Sequence, residues 1–282
     1  MENYQQYCYP GSTYQVQMVS VNDAVRLRLI SFKPAQLSLY YPILMIGGLA
    51  TVIDNFQPLL YALTKDFEVH YLDTREKPTS QLPKNAAFDM ETIGLDIVSV
   101  IKSLGFVHNK YLLLGYSFGA TVIIDCYRHL IIKPNIIILL SPTATFKYPS
   151  WSLQLMRLFL NVKKGVLKPL AKWYIGNFYV NKKEDNEMYL ISSRAIDNAD
   201  TVKLKKVILA IAYYTVWDKL RFIDGNCLIV ATSKDGLHVH KEINKMAGSI
   251  KNCNYLDLET NKRTHGAEMA AVIRHLFESI HS

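Results

Sequence analysis

Short, continuous apolar runs alternate along this chain with stretches whose apolar residues recur at helical spacing. Tyr14 to Val19 and Val25 to Phe32 alternate apolar and polar residues and predict two antiparallel strands. After them the runs become uniformly apolar or nearly so: Ile43 to Ile46, Val69 to Leu72, Tyr111 to Leu114, Asn135 to Leu140, Cys227 to Ala231 and Tyr255 to Leu258. Helical segments lie between. Phe56 to Leu63 is one, with Asp54 as its candidate N-cap. Met90 to Leu104 is another, carrying Ile93, Ile97, Val100, Ile101 and Leu104 at helical spacing and ending at Gly105. Ala120 to Tyr127 and Ala267 to Ile280 complete the set. Apolar strands interleaved with helices predict an α/β fold: a mainly parallel, doubly wound sheet covered on both faces. The pattern breaks between Thr143 and Asp224, where no sheet strand is legible and the segments are helical and rich in aromatics. The chain therefore divides into a core, residues 1–142 and 225–282, and a helical insertion, 143–224, after the sixth strand. Insertions of that length usually carry a function. This one leaves and re-enters the sheet beside the edge where ligands bind in such folds.

One turn stands out. Gly115-Tyr116-Ser117-Phe118-Gly119 is a G-x-S-x-G pentapeptide between an apolar strand and a helix free of Gly and Pro. In that context a serine becomes an exposed nucleophile, because the turn is sharp and its flanks pack closely. An ordinary glycine-bounded strand-to-helix turn would show the same letters, so the downstream residues matter. An activated serine needs a base, an orienting acid and oxyanion donors. The expected chain order is Ser, then Asp or Glu, then His. Asp235 follows the strand Cys227 to Ala231, and His265 follows the strand Tyr255 to Leu258. Both stand at C-terminal strand ends, where a parallel sheet presents active groups. Asp257 and Glu259 lie near the same edge and are the alternative acids. The other histidines are worse placed: His70 is inside a strand, His275 inside the last helix, and His238 and His240 further from a strand end. No carboxylate follows Asn135 to Leu140, which ends in Ser141-Pro142. For the oxyanion the backbone N–H of Phe118 is expected, with Gly48 of the Gly47-Gly48-Leu49 turn as second donor. Leu49, Tyr116, Trp151 and Trp173 are the candidate substrate contacts.

Composition bounds the setting. The chain has 282 residues, half of them apolar, ample for a large core. No apolar run reaches the length of a membrane span. The N-terminal residues lack the basic start and apolar run of a signal peptide. Four cysteines show no metal-type spacing; Cys126 and Cys227 read as core thiols, and a reducing cytoplasm is the simplest setting. The net charge is +8, concentrated between Lys147 and Lys183, which hold eight basic residues and no acidic one. Trp151, Phe159, Trp173 and other aromatics lie among them. This pattern suits an anionic partner, such as an acidic acyl-carrier protein, a coenzyme A thioester or a membrane surface. It also suits a plain solvated face. No nucleic-acid motif accompanies it, and no residue cluster calls for a metal or other cofactor.

The Gly47-Gly48 turn, the Asp73-x-Arg75 pair, the elbow, Asp235 and His265 together resemble the α/β-hydrolase superfamily over almost the whole chain. The insertion occupies the place of that family's lid. Two features depart from its common pattern. Ile46, not histidine, precedes Gly47, and the run after Asp73 reads Thr74-Arg75-Glu76-Lys77-Pro78-Thr79-Ser80 where many members have D-x-R-G-x-G-x-S. The resemblance implies a serine hydrolase that cleaves an ester or thioester of an apolar acyl group through an acyl-enzyme. A thioesterase or acyltransferase on carrier-bound acyl groups is the runner-up. A lyase or cofactor-free oxygenase of the same fold is the alternative outside acyl transfer, and a binding module without activity is a third class.

Overall fold

The computed structural model describes residues 3–158, 168–169, 172, 186–234 and 240–282. Eight strands form one sheet: β1 (Thr13–Asn22), β2 (Val25–Lys33), β3 (Ile43–Ile46), β4 (Val69–Leu72), β5 (Leu112–Tyr116), β6 (Ile136–Leu140), β7 (Asn226–Ala231) and β8 (Cys253–Asp257). Their spatial order is β1-β2-β4-β3-β5-β6-β7-β8. β1 pairs antiparallel with β2, and β2 with β4. Every other pairing, from β4–β3 to β7–β8, is parallel. The two alternating segments thus form the antiparallel edge, and the apolar runs form the parallel body.

Side chains of the central strands go alternately to two cores. Leu44 and Ile46 of β3 and Leu113 of β5 join Ile93, Ile97 and Ile123 on one face. Ile43, Met45, Leu112 and Leu114 join Leu59, Leu60 and Ile273 on the other. The first core holds α2 (Met90–Ser103) and α3 (Phe118–Cys126); the second holds α1 (Gln57–Leu63) and α9 (Ala267–His281). α1 has only seven residues, too short to persist alone. Complete burial of Leu59, Leu60 and Leu63, worth roughly 1.5–3 kcal/mol each, holds it in place. Asp54 does not cap it. That residue lies in a preceding 3-10 turn (Ile53–Phe56) and accepts the hydroxyl of Tyr7, while Pro58 opens the helix without needing a donor partner. α2 is capped by Asp89, whose Oδ1 accepts from Thr92 N at 2.9 Å, and stops where Gly105 takes φ +66°.

The connection from β6 to β7 contains α4 (Ser150–Leu158), α5 (Asn186–Asn198) and α6 (Thr201–Ile211), and among its described residues no strand of the sheet. Its two ends are tied together: Phe146 N donates to Tyr214 O at 2.9 Å, Tyr213 N to Phe146 O at 3.0 Å and Val216 N to Ala144 O at 3.0 Å. Tyr214 also donates its hydroxyl to Asp125 of α3. Much of the predicted basic stretch, with Lys163, Lys164, Trp173, Lys182 and Lys183, lies outside the described residues. Lys168 and Lys172 both turn onto Asp197 of α5, Lys172 through an ion pair of 2.6 Å. Two short helices, α7 (His240–Gly248) and α8 (Asn261–Thr264), are absent from the periodicity reading. Each is too brief to display a repeat. Among the described residues no helix is long and apolar enough to cross a membrane.

Candidate active site

The sharp turn after β5 carries Ser117 at φ 51°, ψ −112°. A non-glycine residue there is strained by about 1–3 kcal/mol. The strain is held by hydrogen bonds on both sides: Ser117 N donates to Leu140 O at 2.8 Å, and Ser117 O accepts from Thr121 N at 3.1 Å. The flanking glycines have steric reasons. A Cβ on Gly115 would stand 2.6 Å from the Ala120 backbone, and one on Gly119 would stand 2.5 Å from Ile46 O and 2.6 Å from Gly47 O. Any side chain at either position would prise helix α3 from β5 or from the end of β3.

The same closeness brings the turn after β3 to the serine. A Cβ on Gly48 would lie 3.5 Å from Ser117 Cβ and 3.4 Å from the Tyr116 ring. The turn at position 48 therefore lies beside the hydroxyl-bearing carbon, with Thr51 Oγ1 also 2.7 Å from such a Cβ. Phe118 is the first residue of α3, so its N–H has no partner within the helix and stands at the positive end of the helix dipole. Gly48 and Phe118 thus flank Ser117 from two elements. The turn is fixed from behind by Lys77, whose ammonium donates to Gly48 O and Thr51 O, both at 2.8 Å, and pairs with Glu76 Oε1 at 3.1 Å. No sequence motif marks Lys77. The signal available was the departure of the 73–80 run from the family pattern. Asp73 and Arg75 build the frame of that loop: Asp73 Oδ2 accepts from Arg28 Nε at 2.7 Å and Thr79 Oγ1 at 2.6 Å, and Arg75 forks onto Asp96.

His265 ends α8 on the neighbouring side of the elbow. Its ring stacks on Phe56 at 4.9 Å and meets the Tyr116 ring edge-on at 4.5 Å. Since Tyr116 is bonded to Ser117, this places the imidazole at the elbow. Nδ1 lies 2.6 Å from Asn261 O. A carbonyl only accepts, so Nδ1 carries a proton, and Nε2 is the nitrogen left to exchange one. Asn261 is itself anchored, its Oδ1 accepting from Tyr116 OH at 2.5 Å. This residue too escaped the sequence reading, because its role runs through a backbone carbonyl.

Asp235 lies outside the described residues, as do His238 and Trp173. The segment leading to Asp235 leaves β7 beside the loop that precedes His265: Ser233 N donates to Asp257 Oδ1 at 3.1 Å and Lys234 N to Glu259 O at 2.8 Å. Asp257 Oδ1 takes a second backbone bond from Glu259 N at 2.8 Å, and Glu259 pairs with Lys234 at 3.1 Å and Arg263 at 3.5 Å. Of the candidate substrate contacts, Leu49 is partly buried against the α2/α3-side core. Tyr116 is buried, with its hydroxyl on Asn261. Trp151 stands on α4, 52% exposed. Phe146, at the neck of the insertion, packs edge-on against Phe118 at 6.1 Å.

No protein-family model matches the chain, and no curated protein matches it in sequence. Solved structures do match it in fold. An esterase from Thermogutta terrifontis superposes with a TM-score of 0.76 at 16% identity, covering 95% of this chain and 100% of its own. The enol-lactonase from Burkholderia xenovorans LB400 gives 0.75 at 14% identity, covering 94% and 100%. A bromoperoxidase from Bacillus anthracis gives 0.72 at 15% identity, covering 94% and 100%. Strand order, the elbow and these likenesses agree: the chain has the α/β-hydrolase fold.

Proposed function

We propose that this α/β-hydrolase-fold chain is a serine hydrolase that cleaves an ester or thioester of an apolar acyl group. The observation that supports the reading is the strained serine at the elbow, with a glycine turn beside it, a helix starting at the next residue and the His265 ring against neighbouring Tyr116. In this mechanism His265 Nε2 takes the Ser117 proton as Oγ attacks the acyl carbon. The Gly48 and Phe118 N–H groups receive the oxyanion of the tetrahedral intermediate. Collapse expels the alcohol or thiol, which takes its proton from His265. Water, deprotonated by the same imidazole, then releases the acid and restores Ser117.

Asp235 is the proposed acid. Its support is position: it follows β7, its loop is stitched to the one before His265, and Asp257 already receives two backbone N–H groups. Asn261 O orients the ring through Nδ1; a carboxylate adds charge that stabilises the imidazolium. The insertion of residues 143–224 is the proposed lid, and the aromatic content of its sequence favours an apolar acyl group. That esterases and an enol-lactonase share the fold supports acyl chemistry, although the fold hosts other chemistries. The bromoperoxidase likeness keeps chemistry without an acyl-enzyme as the second reading. Turnover of a panel of p-nitrophenyl esters and acyl thioesters by the wild type and by Ser117→Ala decides between them. Loss of activity by about 10⁴-fold or more in the variant supports covalent catalysis. Retained turnover supports the second reading.

A further inference from the structure

We propose that Lys77 is a positioning residue for acyl transfer at Ser117, locking the carbonyl side of the oxyanion turn, and that Lys203 of the insertion makes this lock depend on the docked helices. The inference rests on the hydrolase reading above. Lys77 is 4% exposed and Glu76 2%. Burying an ion pair seldom repays its desolvation, so stability alone does not explain the pair. Glu76 Oε2 is buried with no hydrogen-bond partner among the described residues, so the pair is not even fully satisfied.

The Lys77 contacts are instead aimed at the turn. Its ammonium bonds the carbonyls of Gly48 and Thr51, the two ends of the turn closed by the Thr51 N to Gly48 O bond of 3.1 Å. Two successive glycines leave peptide planes that reorient easily. A carbonyl swung toward Ser117 would face a developing oxyanion with like charge. A cation seated on Gly48 O opposes that swing and keeps the neighbouring N–H groups in place before the reaction begins. Such preorganisation is where oxyanion stabilisation comes from.

Lys203 links this lock to the insertion. From helix α6 its ammonium donates to Lys77 O at 2.9 Å and Ser80 O at 2.7 Å. The loop carrying Lys77 is thus clamped from the helix side as well as by Arg28 on Asp73. If the helices withdraw, the clamp on residues 77–80 is lost and Lys77 gains freedom to leave the turn. Docking of α6 through Lys203 would then help to hold the oxyanion turn in place.

The test uses the full chain with Glu76→Gln/Lys77→Met, which removes both buried charges together at similar volume, and separately Lys203→Met. Fluorophosphonate labelling of Ser117, kcat and KM on the best ester, and affinity for the matching trifluoromethyl ketone are measured beside thermal melting. The double variant should lose about 30–100-fold in kcat and in ketone affinity, with KM within about threefold. Its melting temperature should stay within about 4 °C of wild type. Lys203→Met should move the same quantities by about fivefold. If both variants turn over, label and bind the ketone within twofold of an active wild type, the proposal fails and the hydrolase reading stands. A loss confined to KM also overturns it. Should the double variant fail to fold, Lys203→Met decides alone. A wild type that neither labels nor turns over any acyl substrate sinks the hydrolase reading, and this inference with it.

Discussion

Gly119→Ala adds one methyl group at the point where the elbow touches the proposed oxyanion turn. That carbon would stand 2.5 Å from Ile46 O and 2.6 Å from Gly47 O, about 0.9 Å short of ordinary van der Waals contact. Ile46 O cannot swing aside, because it is the carbonyl of the last residue of a central parallel strand. The elbow and the β3 end must therefore separate by most of an ångström. Overpacking of this kind costs about 1–3 kcal/mol of stability, which for a domain of this size lowers the melting temperature by roughly 2–10 °C. The same displacement withdraws Gly48 from Ser117, and a misplacement of about 1 Å costs about 100-fold in rate. Scanning fluorimetry and kcat/KM on the best ester measure the two effects. Gly248→Ala is the control: nothing lies within 4 Å of its added carbon, and its φ is unstrained, so it should alter neither quantity beyond about 0.5 kcal/mol. A Gly119→Ala protein with wild-type melting and activity within twofold would refute the packing argument.

The proposed acid separates from its rival by substitution. Asp235→Asn should lower kcat by about 10³–10⁴-fold, while Asp257→Asn should act chiefly on the stability of the 233–259 loops; equal kinetic losses, or a larger one at 257, would reassign the acid. A pH effect follows from His70, buried in β4, where removal from water and nearby Lys33 push its pKa down to about 4. Glu68 lies 3.5 Å from its Nε2 and would favour the cation, but that carboxylate is one-third exposed and shared with Lys33 at 3.9 Å, so burial wins. The folded state thus keeps His70 neutral below the unfolded value of about 6.5. Stability is fully present above that pH and falls by about 3 kcal/mol as pH drops from about 6.5 through 4. Urea titrations of His70→Gln should show a flatter acid limb; an unchanged slope would exclude His70 as its source.

What the sequence made legible, and what it hid, divides along physical lines. The runs of β3 to β6 were readable because a strand buried on both faces has no polar alternation to blur it. The elbow was readable because steric exclusion at positions 115 and 119 admits only glycine. Asp54 misled because a carboxylate ahead of a helix looks like a cap whether or not a 3-10 turn intervenes; here a tyrosine from the N-terminal segment claims it. Lys77 and Asn261 were illegible for a different reason. Lys77 acts on the backbone carbonyl of Gly48, far away in sequence, and Asn261 seats His265 Nδ1 through its own main-chain carbonyl, which every residue type carries. No local pattern marks a side chain whose partner is a distant peptide group. The specificity of the insertion stayed closed because aromatic and basic residues there state a preference without a geometry.

The central claim is that Ser117 is a nucleophile activated by His265. Intact-protein and peptide mass spectrometry after fluorophosphonate treatment tests it most directly. A single adduct is expected on the peptide carrying Ser117, absent in Ser117→Ala and formed at least ~100-fold more slowly in His265→Ala. An adduct on another residue, or esters hydrolysed at wild-type rate by Ser117→Ala, would contradict it.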